Sequence, residues 1–332
     1  MMGLSFPVLL LLVIGFFFGW LLLLKFKLLF ISLLALILGY KSIAVFIGFN
    51  APVSFTTQKQ TGAIRVVSWN VARFIELARN NNAGSNTRKK MLALLKEQKA
   101  DILCLQEFHT SENPGFYNNI RAIREELGFS YHYFPYDKDG DRNYYSSVIF
   151  SRFPIVDSAL LRYPRPSQPE ALVQADIQVN KDTIRVFTTH LQSQRFDKLD
   201  YARMQKIKSR EDSLVYHSIP IVAKLKRGIV IRSIQADIIG EVRSNSPYPV
   251  LFTGDLNDVP NSYTYFKVRG ELRDAFLEKG YGLGRTFRGL SPTLRIDYIF
   301  SDSRFSVAQF KREKKNYSDH YMLVADLQLN NP

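Results

Sequence analysis

The hydrophobic pattern of this chain changes character near residue 50. Residues 3–24 contain no charge. Lys25-Phe26-Lys27 interrupts the run, and a second apolar stretch, residues 28–49, carries only Lys41. An uncharged run of about 20 residues can cross a hydrocarbon layer as a helix. A secretory leader fits poorly, because no basic residue precedes the run and the run is too long. The pattern predicts a transmembrane hairpin over residues 1–49, or one span followed by an interfacial segment in which Lys41 snorkels to the surface. Lys25 and Lys27 favour a cytoplasmic turn, which places the rest of the chain on the extracytoplasmic side; Lys59 and Arg65 pull the other way.

Residues 50–62 are polar and turn-rich, with Pro52 and three threonines, and read as a linker. Residues 63–332 show short apolar runs between polar turns, a strand pattern. Strands are predicted over 64–69, 102–105, 147–151, 171–179, 184–189, 250–253, 296–301 and 322–327. Helices are predicted over 87–99, where Met91, Leu92, Leu94 and Leu95 share a side, over 118–127, and in the region before Pro247. No second linker appears, so one mixed α/β layered domain is expected.

Polar clusters interrupt these strands: Trp69-Asn70, Gln106-Glu107, Thr189-His190, Gly254-Asp255-Leu256-Asn257-Asp258, and Asp297 with Ser318-Asp319-His320. Loops just past strand C-termini are a usual place for a site. Singly, each has a bland explanation: Gly-Asp-x-Asn makes an ordinary turn, Asn70 a turn cap, Glu107 a helix entry, His190 a packed strand residue. Together they supply what phosphodiester hydrolysis needs: oxygen ligands for a hard cation, a carboxylate to aim water, and a proton-donating group facing the phosphate. Asn70 and Glu107 offer the sparse ligation that Mg²⁺ favours. Asp297 and Asp319 can orient His320 and raise its basicity. His109 lies near Glu107 and could support it; His132 and His217 read as surface residues.

Other chemistries lack their signatures. There is no Gly-x-Ser-x-Gly elbow, P-loop or glycine-rich dinucleotide fingerprint. One cysteine excludes an intrachain disulfide and, with scattered histidines, structural zinc. Cys104 sits in an apolar strand and reads as a small core residue.

In order along the chain, Ser68-Trp69-Asn70, Leu105-Gln106-Glu107, Thr189-His190, Gly254-Asp255-Leu256-Asn257, Arg295-Ile296-Asp297-Tyr298 and Ser318-Asp319-His320 resemble the endonuclease/exonuclease/phosphatase superfamily. Residues 147–155 also look like its strand-and-turn segment. The resemblance covers residues 64–327. It implies a four-layer α/β/β/α sandwich of two mixed β-sheets, the DNase I-like fold. It further implies that Asn70 and Glu107 bind catalytic Mg²⁺ or Mn²⁺ with Asp319 assisting. Asp255 would activate water, Asn257 would hold that water or a phosphate oxygen, and His320 paired with Asp297 would contact the phosphate. His190 matches the second histidine of the DNase I and sphingomyelinase branches, but no acidic residue supporting it is evident.

The formal net charge of +14 attracts polyanions, whether nucleic acid or an anionic membrane surface. Residues 194–246 are longer than the single helix usual before the Gly-Asp-x-Asn strand. Their cations, Lys206, Lys208, Arg210, Lys224, Lys226, Arg227 and Arg232, read as a solvated amphipathic helix pair or a basic arm on lipid headgroups. Tethering favours a membrane lipid phosphodiester as partner. Nucleic acid is the alternative substrate, a phosphomonoester a third, and a non-catalytic membrane scaffold an alternative of another class; no protein partner is implied.

Overall fold

The second apolar stretch does not continue as one helix. In the computed structural model, which describes residues 2–77, 86–164, 171–194, 196–209, 214–289 and 291–330, the chain opens with α1 (Met2–Leu22). It reverses at Leu23-Leu24 and returns as α2 (Phe26–Leu38), then bends by 61° at Gly39 into α3 (Tyr40–Phe46). Among the described residues, Gly3–Leu22 is the one helix long and apolar enough to cross a membrane; α2 and α3 meet that test only as a bent pair. Just 6% of the α1 window is buried, whereas a core helix of a soluble domain would be covered.

The bend has a reason. Val45 and Phe46 of α3 are buried in the domain, and the Val45 carbonyl accepts from Arg295. Then β1 (Gly48–Phe49) follows, and Asn50 Nδ2 donates to the carbonyls of Leu277 and Gly280. Residues 51–62 form no helix or strand but run along the domain, where Lys59 meets Asp101 at 2.6 Å.

Two sheets follow. The first holds β2 (Ala63–Asn70), β3 (Ile102–Ser111), β4 (Tyr131–Tyr133), β5 (Asn143–Ser151), β13 (Phe305–Glu313) and β14 (Met322–Leu329), in the order β13-β14-β2-β3-β5-β4. The second holds β6 (Ile155–Arg162), β7 (Ala171–Val179), β8 (Asp182–His190), β9 (Val250–Asp255), β10 (Arg273–Asp274) and β12 (Asp297–Ser301), in the order β10-β12-β9-β8-β7-β6. A short β11 (Tyr281–Gly282) pairs with β1. The pairs β2–β3 and β8–β9 are parallel and their neighbours antiparallel, so both sheets are mixed.

Strand periodicity explains the layers. Ile64 and Val66 of β2 face the second sheet, where they meet Val173, Val186 and Leu251. Val67 and Trp69 face the other way, toward α4 (Thr87–Glu97) and α5 (Asn119–Leu127). Beyond the second sheet lie α6 (Lys198–Lys208), α7 (Leu214–Ser244) and α8 (Tyr263–Arg269), while α9 (Ala275–Lys279) packs at the edge of the two sheets, Ala275 in the core between them and Phe276 against Phe310 of β13. Ala236 and Ile239 of α7 and Tyr265 and Val268 of α8 pack on Phe187, Phe252 and Phe300 of that sheet. The four-layer α/β/β/α sandwich expected from the sequence is thus observed.

Six strands went unpredicted: the two-residue β1, β10 and β11, and the longer β4, β6 and β13. Each is an edge strand. Edge strands show one flank to solvent and carry polar residues, so they lack the continuous apolar run of a buried strand.

Candidate active site

The site forms where the C-terminal ends of the parallel pairs in the two sheets approach each other. Asn70 ends β2 and pairs in register with Gln106 of β3. Immediately after, the β3–β5 register slips between Leu105 and Phe108, and Glu107 has φ +49°. This bulge separates two adjacent polar residues. Gln106 turns into the space between the sheets and donates to Thr188 Oγ1 at 2.9 Å, while Glu107 faces the cleft, 29% exposed.

On the second sheet His190, Asp255 and Asp297 stand in one row across β8, β9 and β12. Gly254, just before, has φ +153°, and a Cβ there would lie 2.4 Å from the Thr189 carbonyl oxygen. That close approach is why the motif needs glycine.

Three of the polar clusters end strands, as expected; Gln106-Glu107 instead sits at the bulge within β3, which runs on to Ser111. Asp297 and His320 do not end strands either. Asp297 opens β12 and His320 precedes β14. Both strands run antiparallel to their central neighbours, so their N-terminal ends reach the same edge. The turn before β14 is pinned to β2. Trp69 Nε1 donates to the His320 carbonyl at 3.0 Å, and Ser318 Oγ to the Asn70 carbonyl at 2.8 Å.

His320 Nδ1 lies 3.0 and 2.9 Å from the two oxygens of Asp297, and its Nε2 lies 3.6 Å from Asp255 Oδ2. Burial by itself would depress the imidazole pKa. The charges of Asp297 and Asp255, the hydrogen bond that Nδ1–H donates to Asp297 and the charge of Asp319 outweigh it and push it up to about 10. Asp255 is also buried, and its carboxyl is raised, first by burial and then by the charge of Asp297. Both its oxygens are held: Oδ1 accepts from Asn257 N–H at 2.8 Å and Oδ2 from Asn70 Nδ2 at 3.1 Å.

Asn70 Nδ2 donates to Glu107 Oε1 as well, also at 3.1 Å, so one amide bridges two carboxylates. Its Oδ1 accepts from Ala72 N–H. Asn257 adopts φ +50° and donates through Nδ2 to the Leu191 carbonyl. His190 Nε2 stands 3.7 Å from Glu107 and 3.8 Å from Asp255. The acid near the second histidine is therefore supplied by the site's own carboxylates. Asp319 lines the cleft beside His320, its Oδ1 accepting from Ser318 Oγ.

The other histidines differ from their sequence reading. His109 is buried, close to the Phe116 ring. His132 is half-buried and stacked on Phe150 rather than on the surface. The His217 side chain lies outside the described residues.

Residues 194–246 do form a helix pair, but not a uniformly solvated one. Arg232 is buried, 3.2 Å from Asp258 and donating to the Gln192 carbonyl. Lys224 bonds Asp197 and Asp200, the capping-box pair of α6. Arg210 and the Lys208 side chain lie outside the described residues. Sequence reasoning missed the contribution of Arg232 to the site, since a buried arginine and an exposed one look alike in sequence. It also missed Thr286, whose Oγ1 accepts from the N–H groups of Ile296 and Asp297 at 2.9 and 3.1 Å and so sets the start of β12.

The cleft is a cavity of about 280 Å³ lined by Glu107, His190, Asp255, Asn257, Asp319 and His320, with both polar groups, Arg232 and Asp258 among them, and apolar side chains on its remaining wall. A model of the Endonuclease/Exonuclease/phosphatase family matches residues 67–320. The chain belongs to that family.

Solved structures agree on the fold. An endonuclease/exonuclease/phosphatase from Beutenbergia cavernae is 20% identical, with 82% of this chain and 72% of that one covered and a TM-score of 0.57. The human Nocturnin catalytic domain with bound sulfate is 17% identical, with coverage of 82% and 97% and a TM-score of 0.52. TDP2 of D. rerio complexed with single-strand DNA product is 14% identical, with coverage of 80% and 99% and a TM-score of 0.51. A search of curated proteins returns no match.

The family implies a divalent cation, and the donor set fits one. Glu107, Asp255 and Asp319 line a single cleft, with Asp297 directly behind. Among the described lining residues, the only basic groups are two histidines and an arginine already paired with Asp258. So much converging carboxylate favours a hard divalent ion. Ligand atoms of Asp255, Asp297 and His320 lie within 4.8 Å of one another and could also hold a metal.

Proposed function

We propose that the protein is a membrane-anchored, divalent-metal-dependent phosphodiesterase. The observation that carries this reading is the convergence of Asn70, Glu107, Asp255, Asn257, Asp319 and the Asp297–His320 pair on one cleft. We place Mg²⁺ or Mn²⁺ on Glu107 and Asp319, because both oxygens of Asp297 are committed to His320 Nδ1. Asn70 would join them by turning its amide, which is favourable once the oxygen faces a cation rather than two carboxylates. Such an ion would neutralise the phosphate and stabilise the leaving oxygen.

The protein's own groups do the rest. Asp255, fixed at both oxygens, orients the attacking water and accepts its proton. Asn257 holds that water or a phosphate oxygen through its remaining amide lone pairs. His320, held by Asp297, presents Nε2 as a donor to the oxygens on which charge develops. His190 flanks the phosphate from the neighbouring strand.

The anchor in this reading is the α1–α2 hairpin, with Lys25 and Lys27 at its cytoplasmic tip and the domain on the other side. Protease accessibility of the domain in intact cells tests that side. A nucleic acid substrate is the second reading. Its support is the net charge of +14 and the fold shared with a TDP2 solved with single-strand DNA product.

The deciding assay uses the purified full chain with Mg²⁺ or Mn²⁺ against chelator, on plasmid DNA, a sphingomyelin-type lipid and a generic phosphodiester. Chelator-sensitive hydrolysis is expected, with lipid preferred. Inertness on every substrate with metal present would favour a scaffold instead.

A further inference from the structure

The catalytic cleft does not close at the phosphate site. Leu4, Phe196, Leu225, Val259 and Leu294 also line it. A second cavity, of about 90 Å³, uses Leu4, Val259 and Leu294 as a shared wall and continues to Gly3, Pro7 and Phe46 at the root of the hairpin. The first turn of α1 is packed there. A Cβ on Gly3 would stand 2.8 Å from the Asn261 carbonyl oxygen, and Phe6 meets Phe46 edge-on at 5.4 Å. The helix fit to cross a membrane thus begins in the wall of the catalytic cleft.

The opposite wall comes from α7, where Leu225 and Arg232 face the cleft. Around the same helix Ile219, Val222, Val230 and Ile234 form an exposed apolar stripe at helical spacing, with Lys226 and Arg227 between them. An apolar stripe edged with cations suits the boundary of an anionic bilayer.

We infer that the cleft contains an apolar compartment, built by Leu4 of the anchor and Leu225 of α7, that takes the hydrocarbon part of a bilayer phosphodiester while its phosphate sits at His320 and Glu107. This inference rests on the phosphodiesterase reading and adds to it the subsite that takes the lipid's hydrocarbon part and a specificity role for the anchor. A polar nucleotide leaves these side chains in water, whereas an alkyl chain buries them. The apolar path leads from the phosphate site to the root of α1, which is the direction from which a lipid would arrive.

The test uses the full chain in nanodiscs and two matched series, each below its aggregation concentration. Ethyl, butyl and octyl phosphate are measured for binding, and methyl, butyl and octyl p-nitrophenyl phosphate diesters for hydrolysis with Mg²⁺ or Mn²⁺. Octyl phosphate is expected to bind at least about tenfold tighter than ethyl phosphate. Leu225→Gln and Leu4→Gln should each cut that ratio several-fold, acting through KM rather than kcat. Equal affinity along the series, or a ratio unchanged in both variants, would overturn the compartment. A chain-length preference in binding without hydrolysis of any ester would instead remove the phosphodiesterase reading. Hydrolysis of every ester at one efficiency would remove the compartment and leave the phosphodiesterase standing.

Discussion

Asn70, at the end of β2, donates across the gap between the two sheets to Asp255, at the end of β9, at 3.1 Å. The same amide group holds Glu107. One neutral side chain therefore keeps two carboxylates of the cleft in place without adding charge. Asn70→Leu is expected to lower kcat/KM by at least about 10²-fold, because it removes both the donor that arranges the two carboxylates before metal binds and the amide oxygen proposed as a metal ligand. Titrating activity with Mg²⁺ checks the mechanism: the variant should need more metal for half-maximal rate, and an unchanged metal requirement would count against Asn70 as the organiser.

The Asp297–His320 pair behaves as a unit. Asp297→Asn keeps the shape but cannot hold the imidazole as a donor toward phosphate. His320→Ala removes the group outright. Each should cost about 10²–10⁴-fold in kcat. The double variant should be little worse than His320→Ala alone, as for groups acting together. Multiplicative losses in steady-state kinetics would show instead that the two side chains act separately.

Gly254 is required by backbone geometry rather than by chemistry. Gly254→Ala would drive a methyl group against the Thr189 carbonyl of the adjacent parallel strand. A loss of about 2–4 kcal/mol is expected, since neither the positive φ nor the close approach suits a Cβ. Thermal denaturation measures it, and a melting temperature equal to wild type would mean that β8 and β9 can separate at that point.

Cys104 gives a pH-dependent prediction away from the site. Burial pushes its thiol from the usual 9.0 up to about 12, against a smaller pull from Thr253. The folded protein keeps the proton where the unfolded chain loses it. The associated stability is therefore complete below pH 9 and lost between pH 9 and about 12 as pH rises, at no more than about 1.4 kcal/mol per pH unit. Iodoacetamide at pH 8 should leave the native protein unlabelled and react fully in denaturant. Rapid labelling of the native state would show the inter-sheet core to be open.

Much of the site was legible because its residues flank apolar runs in the sequence. Buried β2, β3, β8 and β9 announce themselves as largely apolar runs, and the polar residues that close each run stand out. The convergence of those ends was not legible. It depends on β12 and β14 running antiparallel to their neighbours, which brings the beginnings of two strands to the ends of three others and to the bulge in β3. The edge strands β4, β6 and β13 were hidden by their own solvent exposure. Arg232 was hidden because burial leaves no mark on an isolated arginine.

Residue order and periodicity by themselves determined the layered α/β class, the apolar N-terminus and the set of chemical groups, because these follow from local pattern. Tertiary structure alone decided that Glu107 turns to the cleft on a bulge while Gln106 turns inward. It also decided that α3 bends at Gly39 into the core and that Leu4 reaches the catalytic cavity. Each of these is a contact between segments far apart in the chain, and such contacts are chosen by packing and by the pairing of buried polar groups rather than by any local preference.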